Sequence, residues 1–417
     1  MSRPALRRCV AGDLDEFART VWSRAPRLST REELAATAGD APTYDAFGDL
    51  LSLAAVDELL SRRGLRTPFI RIAKDGAVVP AARYTRSGGA GAQVSDQVAD
   101  DRVLGLFADG HTLVLQGLHR LWPPLIDFAG ELTTELGHPV QVNAYVTPRQ
   151  SKGFAAHYDV HDVFVLQVAG EKRWQVHEPV HRDPLRDQPW TDRREQVRAR
   201  ATERPVIDTV LRPGDSLYLP RGYLHSAEAL GDVACHLTVG VHPVTRYAVL
   251  DALLAVVADE PALRESLPLG VDVADPASVG PDVQVTIDAL SQRLRSVTSA
   301  AVATRLAGHV VAGNRPAPLP PVAQAAALAG LTADSVLVAR AHQRVVVTTE
   351  ADGLNLGLFD RTVQLPVESA KAVRALLDGG RLRIADLPGL DAENALTLGR
   401  RLVLEAVAVV VDGNLPT

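Results

Sequence analysis

Residues 143–174 read NAYVTPRQSKGFAAHYDVHDVFVLQVAGEKRW, and two polar side chains inside this stretch are spaced for metal binding. His157 and Asp159 lie two residues apart in a segment that reads as a β-strand. Side chains at positions i and i+2 of a strand point to the same face, so the imidazole and the carboxylate are expected to converge. Two histidines and one carboxylate form the facial triad of non-haem iron sites. The pair therefore predicts two thirds of such a site, and the third ligand should be a histidine from another strand.

The composition is that of a globular protein without membrane or disulfide signatures. The chain has 417 residues, of which 46% are hydrophobic and 23% charged, and this length predicts two or three domains. It lacks both a run of about twenty apolar residues and the apolar segment of a signal peptide. Cys9 and Cys235 are the only cysteines, which argues against a disulfide scaffold or a cysteine-based zinc site. We therefore expect a cytoplasmic protein.

The charge balance gives no reason to expect a nucleic-acid partner. The net charge is −6 and the isoelectric point is near 6.1. A protein that binds the phosphate backbone usually carries a basic patch or a basic domain. No direct nucleic-acid binding is therefore predicted.

The order of predicted elements indicates a helical entry followed by a β-rich core. Apolar spacing predicts helices over residues 14–26 and 43–64, and a further helix begins at Pro123. Short strands are predicted over residues 139–147, 162–170, 172–179, 205–220 and 233–243. The turns between them carry Gly170-Glu171, a Pro-Gly-Asp sequence and Arg221-Gly222. Antiparallel strands at this spacing predict a mainly β core of the jelly-roll or double-stranded β-helix type. Residues 181–204 should form an exposed excursion between strands.

The remainder of the chain reads as helices and then a small α+β domain. Amphipathic helical patterns cover residues 246–267 and 285–311. They predict either pairing with a second subunit or packing within the chain. The proline-rich residues 314–321 read as a linker. Residues 322–417 mix short helices and strands in a domain of winged-helix size.

The third ligand of the predicted triad is His225. It follows a Pro-Gly-Asp turn, the strand SLYLP and the turn Arg221-Gly222. A His-x-Asp pair alone occurs by chance in many proteins, but a downstream strand–turn–histidine unit makes the combination more specific. His161, two residues past Asp159, could replace a ligand in a rival assignment, but it would then lie nearer the outer end of the strand. His177, His181, His236 and His242 are better explained as core histidines or as residues of turns and strand ends.

Residues from about 140 to 245 resemble the ribosomal oxygenase branch of the JmjC-type 2-oxoglutarate oxygenases. The similarity lies in GFAAHYDVHDVFVLQVAGEKRW and in YLPRGYLHSAEA. The resemblance implies a cupin-like catalytic domain over residues 1–245, a helical dimerisation region over 246–313 and a winged-helix-like domain over 322–417. It also implies that His157, Asp159 and His225 bind Fe(II).

The same resemblance implies a cosubstrate site for 2-oxoglutarate. Lys172 would pair with its distal carboxylate, since a buried carboxylate needs a cationic partner. Lys172 is one of only four lysines in the chain, and the alternative is a surface lysine after a Gly170-Glu171 turn. Asn143 matches a position near the cosubstrate but could instead satisfy a backbone group. Tyr145, on the same predicted strand face, matches a position in the substrate pocket but could be a core aromatic.

Three functions are compatible with these residues. The first is a homodimeric protein hydroxylase that uses Fe(II) and 2-oxoglutarate, and the resemblance implies an arginine or histidine of a ribosomal protein as its target. The second is a hydroxylase of a small metabolite, because fold alone does not determine the substrate. The third is a non-catalytic metal-binding regulatory protein.

Overall fold

The computed structural model describes residues 3–38, 46–74, 76–91, 93–149, 151, 155–313, 315–350 and 353–411. The chain divides into two compact units, Met1–Pro243 and Val244–Thr417. Within the described ranges, no helix combines the length and hydrophobicity that crossing a bilayer requires.

The first unit contains a large antiparallel sheet and several helices. Its helices are α1 (Pro4–Arg7), α2 (Leu14–Thr20), α3 (Arg31–Ala38), α4 (Leu53–Arg62), α5 (Asp100–Ala108), α6 (Pro123–Leu136) and α7 (Arg194–Arg200). Its strands are β1 (Arg27–Ser29), β2 (Ile70–Lys74), β3 (Ala77–Val78), β4 (Thr85–Arg86), β5 (Gln97–Val98), β6 (Thr112–Leu115), β7 (Val140–Thr147), β8 (Asp162–His177), β9 (Ile207–Leu211), β10 (Ser216–Leu219) and β11 (Leu224–Val241).

Two long strands, β8 and β11, form the centre of this sheet. The strand order is β1-β10-β8-β11-β7-β6-β2-β3, and β9 also pairs with β8. The first half of β8 pairs with β10 and its second half with β9. Strand β11 runs antiparallel to β8 and also pairs with β7. The β8–β11 pair is therefore shared by two groups of strands, which confirms the predicted mainly β core.

The alternation of side chains along β8 separates two hydrophobic clusters. Phe164 and Leu166 belong to the large core that includes residues of α2, α4, α5 and α6. Val163 and Val165 point to the other face, where they join a smaller cluster with Trp174. Period-two alternation is the geometry of an extended strand. It gives β8 one face for the main core and one face for the interior of the strand assembly.

The structure corrects the predicted turn at Gly170-Glu171. Strand β8 continues through both residues, with Gly170 at φ 62°. A Cβ at Gly170 would lie 2.4 Å from the carbonyl oxygen of Val233, so only glycine fits this close approach. The register between β8 and β11 shifts nearby, between Leu230 and Cys235. The glycine therefore marks an irregularity in a continuous strand pair.

The predicted helix over residues 43–64 is also too long at its start. Helix α4 begins at Leu53, and the hydroxyl of Ser52 accepts a hydrogen bond from the amide of Ala55 at 3.1 Å. A serine at this position satisfies one amide that has no partner inside the helix. Residues 43–45 lie outside the described part of the chain.

The second unit contains helices and two small sheets. Its helices are α8 (Arg246–Val257), α9 (Pro276–Leu294), α10 (Ser299–Gly313), α11 (Pro321–Ala329), α12 (Ala370–Leu377) and α13 (Ala392–Leu404). Its strands are β12 (Val336–Ala339), β13 (Val346–Glu350), β14 (Gly353–Gly357), β15 (Thr362–Leu365), β16 (Leu382–Arg383) and β17 (Ala408–Val411). The predicted helix pattern over 285–311 is divided between α9 and α10. A dimerisation role for these helices and a winged-helix class for the end of the chain remain predictions.

Candidate active site

The three predicted metal ligands lie together in the first unit. The ligand atoms of His157, Asp159 and His225 are all within 4.8 Å of one another. In the described ranges, no other group of three or more potential ligands has its ligand atoms within this distance of one another. The Nε2 atom of His225 lies 3.7 Å from Oδ2 of Asp159. The geometry thus has the donor set of a facial 2-His-1-carboxylate site.

The segment that carries His157 and Asp159 is not the strand that the sequence suggested. His157 forms a single antiparallel bridge with His225, and Asp159 lies in irregular backbone before β8. The amide of His225 donates to the carbonyl of His157 at 2.8 Å. This bridge, rather than alternation along one strand, brings the first and third ligands together.

Backbone carbonyls determine which nitrogen of each histidine carries the proton. Nδ1 of His157 lies 2.8 Å from the carbonyl oxygen of Ala155, and Nδ1 of His225 lies 3.1 Å from that of Tyr223. A carbonyl accepts but does not donate, so both Nδ1 atoms carry hydrogen and each lone pair is on Nε2. A hydrogen bond of this kind orients a metal-binding histidine and increases the basicity of its other nitrogen.

The protonation states of the cluster suit a cation. Burial, together with the nearby His157, lowers the pKa of His225 to about 4, so this imidazole is neutral near pH 7. Burial alone would raise the pKa of Asp159, but the adjacent histidines outweigh it and hold that pKa below its ordinary value. A neutral imidazole and an ionised carboxylate are the deprotonated forms that bind divalent metals.

A buried carboxylate supports the turn that precedes His225. Asp162 is fully buried, and it accepts hydrogen bonds from the hydroxyl of Tyr218 at 2.6 Å and from the amide of Arg221 at 3.0 Å. Gly222 follows at φ 88°, and its amide donates to the carbonyl of Asp159 at 3.0 Å. The Arg221-Gly222 turn is therefore joined to the ligand segment before β11 begins.

Residues 181–204 are packed against the ligand segment more closely than an exposed excursion would be. Val197 is buried in a small cluster with Tyr158 and Leu224, which are neighbours of His157 and His225 in sequence. The hydroxyl of Tyr158 donates to the carbonyl of Gln188 at 3.0 Å. The ring of Trp190 lies 6.3 Å from that of His157. Part of this segment therefore forms a wall beside the triad.

Lys172 lies inside the strand assembly and not on the surface. It is 3% exposed, and its ammonium donates to Oγ1 of Thr147 at 2.8 Å and to Nδ1 of His236 at 3.0 Å. Burial lowers the pKa of Lys172 to about 7. Both hydrogen-bond partners are uncharged, and no carboxylate among the described side chains forms an ion pair with the ammonium. The site is therefore electrostatically suited to an anion.

One cavity contains both the triad and the Lys172 ammonium. Its volume is about 80 Å³, several times the 10–15 Å³ or so that one water needs. The lining residues are Thr112, Tyr145, Thr147, His157, Asp159, Val163, Val165, Lys172, Trp174, His225, Ser226, Ala227, His236 and Thr238. A small ligand in this space could contact a metal ion at one end and a cation at the other.

The two remaining predicted residues occupy different positions. Tyr145 lines the cavity, and burial raises its pKa to about 12, so its hydroxyl is protonated. Asn143 is not among the lining residues, and its Oδ1 accepts a hydrogen bond from the amide of Gly117 at 2.9 Å. A contact between Asn143 and a cosubstrate remains a prediction.

Two residues of the cavity, His236 and Thr147, are not apparent as site residues from the sequence. His236 reads as a core histidine because it lies in an apolar strand, and it is indeed 5% exposed. Its side chain nevertheless lines the cavity, because residues 236 and 238 of β11 share the inner face. Thr147 shares a strand face with Tyr145, and this alternation was the signal that could have identified it.

The rival histidine His161 lies outside the triad. Its ring stacks on that of His242, with centroids 5.1 Å apart and an interplanar angle of 22°. His177 ends β8 and is buried, and Nε2 of His181 lies 2.9 Å from Oε1 of Gln188. None of these three belongs to the metal-binding group in the described ranges.

Comparison with known proteins identifies the class. Residues 128–249 match the family model of the JmjC domain. This segment, which contains the triad and Lys172, is thus similar to the JmjC domain. The predicted family resemblance is confirmed.

Relatives with assigned names are similar over part of their length. Ribosomal oxygenase 1 of Rattus norvegicus is 30% identical over 229 residues, which is 55% of this chain and 35% of the relative. The bifunctional lysine-specific demethylase and histidyl-hydroxylase NO66 of Drosophila persimilis is 38% identical over 141 residues, or 32% of this chain and 19% of the relative. The chain thus spans about a third or less of these proteins.

Solved structures match nearly the whole chain in fold. YcfD, a ribosomal oxygenase from Escherichia coli in complex with cobalt and succinic acid, has a TM-score of 0.53 and 17% sequence identity, and the match covers 96% of this chain and 99% of YcfD. YcfD in complex with cobalt and 2-oxoglutarate has a TM-score of 0.51 and 16% identity, with the same coverage. At this identity the similarity establishes the JmjC or cupin-like fold alone.

Proposed function

We propose that this protein is an Fe(II)- and 2-oxoglutarate-dependent oxygenase that hydroxylates a protein side chain. The observation that carries the proposal is the single cavity with a 2-His-1-carboxylate cluster and a buried lysine ammonium. His157, Asp159 and His225 would hold the iron, and Lys172 would bind the distal carboxylate of 2-oxoglutarate. The names of YcfD complexes with cobalt and 2-oxoglutarate support this assignment.

The residues of the chain supply binding, orientation and exclusion of water. His157, Asp159 and His225 would be the protein ligands of the iron, and bound iron would supply the oxidising chemistry. The carbonyls of Ala155 and Tyr223 keep both imidazoles oriented with the lone pair on Nε2. Val163, Val165 and Trp174 give the cavity apolar walls. Tyr145 would contact the substrate or help to orient it.

The proposed target is an arginine or histidine side chain of a ribosomal protein. Support comes from the names of the relatives, one a ribosomal oxygenase and one a histidyl-hydroxylase. The ring of Trp190 lies 6.3 Å from that of His157, and the guanidinium of Arg194 lies over this ring at 5.7 Å. The contact with Arg194 is an example of the cation–π packing that a target arginine would make against an aromatic side chain.

We also propose that the protein acts as a cytoplasmic homodimer whose interface lies in the helical region over residues 246–313. Tyr247, Leu250 and Leu254 of α8 are 52%, 46% and 47% exposed, and their spacing places them on one helix face. Exposed apolar side chains on one face are typical of subunit contacts. Light scattering of the purified chain tests this, and Leu250→Glu should shift the mass toward the monomer.

The function is tested by incubating the protein with Fe(II), 2-oxoglutarate and ribosomal proteins. We expect succinate release and a ribosomal protein that has gained the mass of one oxygen atom, with the modified residue located by fragmentation. Asp159→Ala is the control. Turnover that responds only to a low-molecular-mass extract would favour the metabolite hydroxylase. Metal binding without any 2-oxoglutarate turnover would contradict both enzyme functions.

A further inference from the structure

His236 on β11 contacts Lys172, and the proposed function gives it no role. Nδ1 of His236 lies 3.0 Å from Nζ of Lys172, and His236 lines the same cavity. The other partner of Nζ is Oγ1 of Thr147 at 2.8 Å. An ammonium has three N–H donors, so these two contacts leave one donor for a ligand.

The protonation of His236 follows from this contact. Burial, together with the positive charge of Lys172, lowers the pKa of His236 well below its ordinary value, so the ring is neutral. The ammonium of Lys172 donates, and Nδ1 must therefore be the acceptor. The ring proton is then on Nε2.

Two aromatic rings hold the imidazole in place. The ring of Tyr145 stacks on His236 with centroids 5.0 Å apart and an interplanar angle of 2°. The ring of Trp174 meets it edge-on, at 5.3 Å and 82°. Tyr145 and His236 are also direct partners in the pairing of β7 with β11. The position of the Nδ1 acceptor is thus determined by packing on more than one side.

We infer that His236 is a positioning residue for Lys172. His236 holds the Lys172 ammonium at one end of the cavity, so that the third N–H of the ammonium meets a carboxylate. The inference rests on the proposed function for the identity of that carboxylate. A lysine side chain has four rotatable bonds and loses much rotamer freedom when it is fixed. A rigid acceptor beside Nζ reduces that loss at the moment when a ligand binds.

The inference separates two contributions of the histidine, the acceptor and the ring. His236→Phe keeps an aromatic ring against Tyr145 but removes the acceptor. His236→Asn keeps an acceptor near the position of Nδ1 but removes the ring. The two variants are therefore matched, because each retains what the other loses.

Binding and kinetics of 2-oxoglutarate give the first measurement. A hydrogen bond to a charged group contributes about 1.5–3 kcal/mol, so His236→Phe should raise the KM and Kd for 2-oxoglutarate roughly tenfold to a hundredfold. The kcat at saturating 2-oxoglutarate and the iron stoichiometry should be unchanged. His236→Asn should recover most of the lost affinity. Thermal unfolding of each variant checks that the fold is intact.

A second measurement does not depend on 2-oxoglutarate. The chain has four lysines, so the 13C signal of the Lys172 side chain can be assigned with a Lys172→Met control and titrated with pH. His236→Phe should lower the titration midpoint of Lys172, because the ammonium form loses an acceptor, and His236→Asn should stay near the wild type.

The outcomes distinguish the inference from the proposed function. Equal 2-oxoglutarate affinity in the wild type and in His236→Phe would overturn the inference, and so would equal losses in both variants, because those would indicate ring packing alone. If the wild type binds no 2-oxoglutarate, the proposed function fails, and the lysine titration then decides the positioning role by itself.

Discussion

The metal-ligand end and the Lys172 end of the cavity differ in charge and in the way they are built. The first combines one carboxylate with two imidazoles, and two of its three residues come from irregular backbone joined to β11 by one bridge. The second is a fully buried ammonium between two uncharged partners, all on regular strands. Each end has an unbalanced charge, of opposite sign. A cation at one end and an anion at the other would balance both.

The two ends also differ in how their buried polar groups are stabilised. At the ligand end, each imidazole is oriented by the backbone carbonyl of a residue two positions before it, so this orientation is set locally. A buried ammonium without a counter-ion is unfavourable, and its pKa falls to about 7 as a result. The two ends should therefore respond differently to substitution and to pH.

The largest expected effect is at the ligand end. Asp159→Ala removes the only carboxylate of the triad, and we expect bound iron and turnover to fall more than about a hundredfold, since even partners of metal ligands contribute 10–100-fold. Metal analysis and succinate release measure this. His161→Ala is the matched control, and it should keep its iron. If His161→Ala loses iron and Asp159→Ala retains it, the third ligand is His161 and not Asp159.

The next effect separates the two ends. Lys172→Met removes the charge at similar length, and we expect 2-oxoglutarate binding to weaken more than about thirtyfold, because truncation of a buried charged partner costs about 2–5 kcal/mol. Iron binding should be unchanged. Calorimetric titration with 2-oxoglutarate, with metal analysis of the same sample, tests both statements. Simultaneous loss of iron would show that the two ends are not independent.

A smaller effect concerns pH. Because a carboxylate binds the protonated ammonium and stabilises it, ligand binding raises the pKa of Lys172 from about 7. The affinity for 2-oxoglutarate should be full below that pH and should fall by up to about tenfold per pH unit above it. His225, with a pKa of about 4, stays neutral in this range.

The control for the pH profile is Lys172→Arg. A guanidinium stays charged throughout the range, so its affinity should vary little with pH even if it is weaker overall. Dissociation constants measured between about pH 6 and pH 9 compare the two proteins. A flat profile for the wild type would contradict a titrating lysine at the anion end.

The smallest effect is expected at Asn143. Its Oδ1 accepts from the amide of Gly117, so Asn143→Ala should lower the free energy of unfolding by about 1 kcal/mol and change the affinity for 2-oxoglutarate less than about threefold. Chemical denaturation and calorimetry measure the two quantities. A large loss of affinity with unchanged stability would instead support the predicted cosubstrate contact.

The sequence was most informative where chemistry depends on residue type and short spacing. His157-x-Asp159 and the strand–turn unit before His225 identified the three side chains that the structure brings together. The β-rich character of residues 139–243 was also apparent from local patterns. Lys172 was identified through the family resemblance and its rarity, and the structure buries it on the continuous strand β8.

The same local patterns misjudged features that depend on pairing. His236 reads as a core histidine because its neighbours are apolar, yet β11 places it against Lys172. The segment at His157 reads as a strand, yet only one bridge forms there. Residues 181–204 read as an exposed excursion, yet Val197 packs against Tyr158.

The sequence by itself determined the donor types of this site and the turns that precede His225. It also determined that Tyr145 and Thr147 share one strand face and that His236 and Thr238 share another. Only the tertiary structure decided which of these faces meet and in what register. The physical reason is range: alternation and turn formation follow from a few adjacent residues. Lys172 and His236 are 64 positions apart in sequence, yet their Nζ and Nδ1 atoms lie 3.0 Å apart. This register depends on long-range strand pairing and on burial of the whole sheet.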